Sequence, residues 1–316
     1  MHRVSRPAEV RVFSTVLPAL VFVAIWGSLL PFQPSDGMSP GVLVWWTALC
    51  AVSIFNIWAW RLSGRWVARC KAETDPLAFG FQRWQLFLCA IYVFGCAFRS
   101  VLPRGDVQRI GMFDTWMSSV FVGRSVATLV ELCFAAQWAL WLCQTARHAN
   151  SPITVAVSWL LVPLIVVAEL CSWHAVLTTN YLGNVIEESI WALAGILVVI
   201  GCAALWYPCA RAARIRLALV MLCGLAFVTY MCTVDVPMYA GRWIGDEAGG
   251  KTYLSLTQGL WDAGSRWTVT HSWDQWRPEV LWMTLYFSVG VWTSLALVHA
   301  SRFASSRRGV TSLAQT

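Results

Sequence analysis

Apolar residues fall into eight long stretches along this chain, at about 12–32, 41–60, 84–102, 117–145, 152–176, 183–207, 217–239 and 280–301, with polar joints between them. A helix needs about 20 apolar residues to cross the hydrocarbon of a bilayer. The pattern predicts an all-α, polytopic integral membrane protein: one transmembrane domain over 1–316, with eight transmembrane helices. Ser151-Pro152 suits a helix start, with serine as the N-cap and proline in the first turn. The first stretch follows Arg3, Arg6 and Arg11, as a signal peptide would. It is too long for one and no small-residue cleavage site follows it, so it reads as a retained span.

Segment 240–279 interrupts the rhythm. It carries Trp243, Trp261, Trp267, Trp273 and Trp276. Loops beyond about 15 residues are usually functional or disordered, and one this aromatic argues against disorder. Within it, "TYLSLTQGLWDAG" predicts a short helix ending at glycine, and "RWTVTHSW" alternates as a strand does. The expectation is an extracytoplasmic cap loop lying across the mouth of a pocket.

The joints alternate in charge. One side collects fifteen bases, among them Arg3, Arg61, Arg65, Arg69, Arg147, Arg214 and Arg307, against Glu9, Glu73 and Asp75. The positive-inside rule makes that side cytoplasmic, with both termini on it, as eight crossings require. The expected location is the bacterial inner membrane. Composition agrees with the spans. Only 12% of residues are charged, where a soluble domain has about 25%. The net charge of +7 is spread over short joints, which excludes the basic patch of a nucleic-acid binder. The 11 cysteines form no CxxC pair or zinc spacing and fall mostly within apolar runs, so they read as core residues.

Polar residues inside the spans are costly and should face one another. Tyr92, Cys96 and Arg99 sit at i, i+4, i+7, and Arg124, Thr128 and Glu131 repeat that spacing. Asn180, Asn184, Glu187 or Glu188, and Trp191 form another stripe. Glu169, Trp173 and His174 lie near one span's outer end, and Asp235 ends the seventh. Nearly all of these fall in the extracytoplasmic half. Asn56 and Gln144 are the main polar members of the other half.

A neutralised network would pair Arg99 and Arg124 with Glu169. With Glu131 satisfied by another helix or protonated, the surplus of Glu187, Glu188, Asp235, His174, His271, Asn180 and Asn184 points instead to a pocket of convergent polar groups. An outward-facing pocket in a membrane suits a membrane lipid or another amphipathic small molecule. The expected function is an enzyme modifying such a substrate by acid/base or metal-assisted chemistry. Glu131, Glu169, His174, Glu187, Glu188 and Asp235 are the candidate catalytic groups. Arg99, Arg124, Asn180, Asn184, Trp191 and Trp273 would bind substrate, the arginines holding an anionic group. In the metal-assisted version His174 and His271 are ligands for zinc or iron, although no HxxxH, HExxH or ExxH motif occurs. A proton- or ion-coupled transporter is the first alternative, titrating at Glu131 and opening past Asn56 and Gln144. A non-catalytic subunit of a membrane complex is the second. It would show an apolar groove facing lipid and a pocket filled by its own side chains. Glu131 has no evident cation at its own level and is the stronger functional candidate. Glu169 reads as a salt-bridge partner.

Overall fold

The computed structural model describes residues 37–70, 76–209 and 211–300. It is 84% helical, and seven of its helices are long and apolar enough to cross a membrane, so the chain is an integral membrane protein. The expected first span, 12–32, lies outside the described residues. The helices are α1 (Pro40–Arg69), α2 (Pro76–Val101), α3 (Val120–Ala149), α4 (Pro152–Thr178), α5 (Leu182–Ala204), α6 (Arg211–Tyr230), α7 (Val236–Ala248), α8 (Leu256–Ser265), α9 (Trp273–Leu285) and α10 (Val291–His299). A π-helical turn, Met231–Asp235, joins α6 to α7, and another, Tyr286–Gly290, joins α9 to α10. Each trio therefore forms one long span.

Local chemistry fixes several ends. Ser151 accepts from the Thr154 amide and Pro152 fills the first helical position, as the sequence predicts. Asn150 closes α3 at φ 52°, a left-handed C-cap that asparagine tolerates. Helices then pack in chain order, α1 on α2, α2 on α3, α3 on α4, α4 on α5 and α5 on α6. Glycine permits the closest approach: a Cβ on Gly183 would lie 2.5 Å from the Cys171 carbonyl oxygen, so α5 meets the α4 backbone directly.

The last span does not close the ring evenly. α9 packs on α1, and α10 packs on α1, α2 and α3. α6 and α7 instead pack on α5. Among the described residues a seam runs between these two sides.

One end of the bundle carries three two-residue strands, β1 (Arg104–Gly105), β2 (Ile110–Gly111) and β3 (Thr268–Val269), in the order β1-β2-β3. β1 and β2 are antiparallel, and β2 and β3 are parallel. α8 lies against the ends of α3 and α4, with Leu254 N donating to Thr178 O at 3.1 Å. The opposite end holds Arg61, Arg65, Arg69, Arg147, Arg211, Arg214 and Arg216. These are called the strand-bearing and basic ends below.

Segment 240–279 divides in the structure. Residues to Ala248 continue the helix, within the candidate span Ala213–Ala248. Leu256–Ser265 is a helix with a capping box between Ser255 and Gln258, and α9 begins at Trp273.

Asp262 fastens α8 to the strands. Arg109 Nε bonds its Oδ2 at 2.7 Å, and Arg266 bonds both oxygens. Burial would push this carboxyl up, but the hydrogen bonds from Arg266 and Arg109 prevail and hold it below the usual carboxylate range. A depressed folded pKa stabilises above the unfolded value of about 3.9 and loses that stabilisation as pH falls through the folded value. The protection factors of α8 amides, taken against the intrinsic rate at each pH, should therefore be lower at pH 3 than at pH 6, while those of α4 hold. Equal protection of α8 at both pH values would contradict the clamp.

Candidate functional site in a polar seam

Arg124, on the second turn of α3, organises the centre of the polar interior. Its Nη2 lies 2.7 Å from Glu169 Oε2 on α4, 3.2 Å from Glu131 Oε2 on its own helix and 3.4 Å from Glu187 Oε1 on α5. All four side chains are buried. Seven residues of helix rise by about 10 Å, and the long arginine side chain covers that distance to reach Glu131. Four ionised groups here would sum to −2. A low-dielectric interior does not hold such an excess unless protons or a cation enter with it.

The three carboxylates are held unequally. Glu169 Oε2 also accepts from Thr128 Oγ1 at 2.5 Å, and Trp173 Nε1 donates to that hydroxyl at 3.0 Å. Glu187 accepts from Asn184 Nδ2 at 3.0 Å. Glu131 accepts from Tyr286 OH at 3.1 Å, a contact delivered by the second π turn. Glu169 is the anchored member, and Glu131 faces the seam.

Arg99 has no carboxylate. In the last turn of α2 it is 4% exposed. Its guanidinium carbon lies 5.8, 5.7 and 5.8 Å from the rings of Trp282, Tyr286 and Phe287. Cation–π contact of this kind stabilises a desolvated guanidinium by roughly 2 kcal/mol, well short of the several kcal/mol that burying a lone charge costs. Among the described residues Arg99 makes no ion pair or hydrogen bond, so the expected pairing with Glu169 belongs to Arg124 alone. Arg99 and Glu131 are separated by one residue, Tyr286.

The seam opens at the strand-bearing end into a groove of about 390 Å³ lined by Gln108, Tyr181, Arg242, Asp246, Gln275 and Glu279. Glu279 lies at its floor, 3% exposed. It accepts from Gln108 Nε2 at 2.8 Å, Arg242 Nη2 at 2.9 Å and Trp282 Nε1 at 2.6 Å. Arg242 sits over the rings of Tyr181 and Tyr239. The Arg242–Glu279 pair clasps α7 to α9 across the seam. Glu279, Trp282 and Tyr286 share one face at i, i+3, i+7 and connect the groove to Arg99 and Glu131. Glu279→Ala strands three donors, one of them charged, and should cost about 2–4 kcal/mol. Hydrogen exchange over 236–248 should rise sharply in that variant. Unchanged exchange there would contradict the clasp.

Both π turns face this seam. Asp235 ends the first and is buried without a hydrogen bond among the described residues, and Tyr286 begins the second. π-helical turns occur disproportionately at functional sites. Glu188, half-buried on α5, also makes no hydrogen bond among the described residues. Both carboxylates lie within electrostatic range of Tyr230 and Tyr239.

Other candidates lie elsewhere. His174 points outward from α4, and His271 Nε2 meets the Met112 carbonyl at 3.0 Å. The two histidines are not brought together. Among the described residues, the group with metal-ligating spacing is Glu131, Glu169 and Glu187, whose oxygens lie within 4.8 Å of one another. Arg124 contacts all three, so a guanidinium supplies there the positive charge that zinc or iron would bring. Arg124 is likewise taken by its own carboxylates and is not free to hold an anionic substrate. Asn180 caps the α5 turn through the Leu182 amide. Trp191 packs in an apolar cluster with Leu161 and Leu197. Trp273 lies over Gly41, where a Cβ would meet its ring at 2.9 Å.

The basic half is more polar than the sequence suggests. Gln85 and Gln137 exchange amide hydrogen bonds at 2.9–3.1 Å, Ser294 Oγ donates to Gln137 Oε1 at 2.5 Å, and Asn56 bonds Phe287 O and Trp292 Nε1. These amides satisfy one another across α1, α2, α3 and the last span.

Glu279, Arg242, Gln108, Trp282, Tyr286 and Gln137 are the site and network residues that sequence reasoning missed. The Glu279–Trp282–Tyr286 stripe is the signal that could have found three of them. Comparison with protein-family models, with curated proteins and with solved structures finds no match for this chain.

Proposed function

We propose that the protein is a membrane-embedded enzyme that modifies an anionic lipid or another amphipathic molecule by acid/base chemistry. Arg99 holds the anionic group and Glu131 moves the proton. The observation that carries this reading is Arg99, a buried guanidinium without an anion among the described residues, one tyrosine away from a carboxylate in an over-acidic cluster. The seam between α6–α7 and the last span gives a molecule with a polar head and apolar tails a lateral route to both residues. Glu187, Glu188 and Asp235 line that route, and the Arg242–Glu279 groove receives the polar head. Glu169 and Arg124 act by positioning Glu131.

The Gln85–Gln137–Ser294 closure of the basic half favours an enzyme over a carrier that must open on that side. A second reading, a non-catalytic subunit, draws support from Arg124 filling the carboxylate cluster. Proteoliposomes made with a bacterial total-lipid extract test the first reading by mass spectrometry. Wild-type protein should convert at least one anionic lipid species that stays constant in protein-free vesicles. An unchanged lipid profile, with or without proton flux across the vesicle membrane, would overturn it.

A further inference from the structure

A second cavity lies at the basic end, away from the seam. It measures about 570 Å³ and is lined by Trp206, Arg211, Arg214, Ile215, Leu219 and Leu222. Arg211, Ile215, Ala218 and Leu222 recur at i, i+4, i+7, i+11, so one stripe of α6 forms its wall. Two guanidiniums stand at one end of that wall and purely apolar side chains continue from them. Eleven residues of helix rise by about 16 Å, close to the depth of one leaflet of a hydrocarbon core about 30 Å thick.

The charge at the mouth has no counter-ion in the chain nearby. No Asp or Glu occurs between Glu188 and Asp235, and among the described residues Arg211 and Arg214 form no ion pair. Arg214 makes one long bond, Nη2 to Tyr207 O at 3.5 Å, while its buried Nε has no partner. Trp206 sits beside them, the residue type that settles at a membrane–water interface. Ile215, Leu219 and Leu222 are more than half exposed, and among the described residues α6 packs chiefly on α5.

We infer that this groove binds one anionic glycerophospholipid, its phosphate on Arg211 and Arg214 and one acyl chain along Ile215, Leu219 and Leu222. Bound there, the lipid fills the angle between Trp206, just past the end of α5, and α6. It supplies packing for the stripe of α6 that no other described helix covers. The inference does not depend on the chemistry at Glu131.

Native mass spectrometry of the full chain in detergent tests it, with phosphatidylglycerol and phosphatidylcholine of identical chains as probes and glycerol 3-phosphate as the head group alone. One phosphatidylglycerol should bind about 30-fold more tightly than phosphatidylcholine, the worth of two bases near a lipid phosphate. R211Q/R214Q should abolish that preference. Leu219→Trp, which fills the apolar arm and keeps both arginines, should weaken both lipids. If the double variant does not fold, Arg211→Gln alone, exposed and unpaired, should cut the preference about 5-fold. Equal binding of the two lipids, a preference surviving in the arginine variants, or glycerol 3-phosphate binding as tightly as phosphatidylglycerol would each overturn the assignment.

Discussion

Replacing Arg124 by methionine is expected to cost about 3–5 kcal/mol of stability, the usual result of removing one side of a buried ion network. Arg124 is the cation within reach of three carboxylates whose oxygens lie within 4.8 Å of one another. Methionine fills the volume but supplies no charge and no donors. Glu169 then keeps Thr128, and Glu131 keeps Tyr286. At about 2–4 °C per kcal/mol for a chain of this size, the melting temperature in detergent should fall by roughly 10 °C. Arg124→Lys should fall less, because an ammonium restores the charge but cannot bond three carboxylates from one rigid fork. A melting temperature for Arg124→Met within about 2 °C of wild type would remove Arg124 from its place as the centre of the bundle.

Glu131→Gln is expected to lower lipid turnover by about 10²–10⁴-fold, the range that general acid/base groups contribute, with little loss of fold. Glutamine is nearly isosteric and still accepts from Tyr286. It also removes one charge from a cluster with an excess of them, so the melting temperature should hold or rise. Glu169→Gln should behave differently. It weakens the 2.7 Å pair with Arg124 and lowers stability first, with turnover following. Turnover and melting temperature measured together on both variants separate the two glutamates. Full activity in Glu131→Gln would take Glu131 out of the chemistry.

Much of this arrangement was legible in the chain, for physical reasons. Lipid imposes a length and a hydropathy on every span, so the seven membrane-length helices stand out without any tertiary information. The cost of polar groups in lipid likewise forces Arg124, Glu131, Glu169 and Glu187 inward, and their spacing already puts them on facing stripes. Which arginine meets which glutamate was not legible. Helical spacing gives the direction of a Cβ but not the reach of a guanidinium, and Arg124 covers two turns to bond Glu131. Arg99 rises from a neighbouring helix and turns instead into Trp282, Tyr286 and Phe287.

Arg242 and Glu279 were hidden for another reason. Hydropathy ends where water begins, so charged turns at the head of a span look like loop, yet α7 and α9 stay helical there. The π turns at Met231–Asp235 and Tyr286–Gly290 have no local code either. An extra residue in a helical turn costs stability that only the surrounding packing repays, and that packing involves Asn56 and Glu131, far away in sequence. The buried amides Gln85 and Gln137 were passed over because each looks unremarkable alone, and only the pair explains their burial.

The central claim is that an amphipathic molecule enters between α6–α7 and the last span to reach Arg99 and Glu131. The most direct measurement is photolabelling of the protein in bilayers with a phospholipid carrying a diazirine beside its phosphate, followed by peptide mass spectrometry. The account predicts labels on the seam residues Asp235, Glu279 and Tyr286, suppressed by excess unlabelled anionic lipid. Labels confined to outward-facing side chains such as Ile54, Trp159 and Leu170, with the seam unmarked, would contradict it.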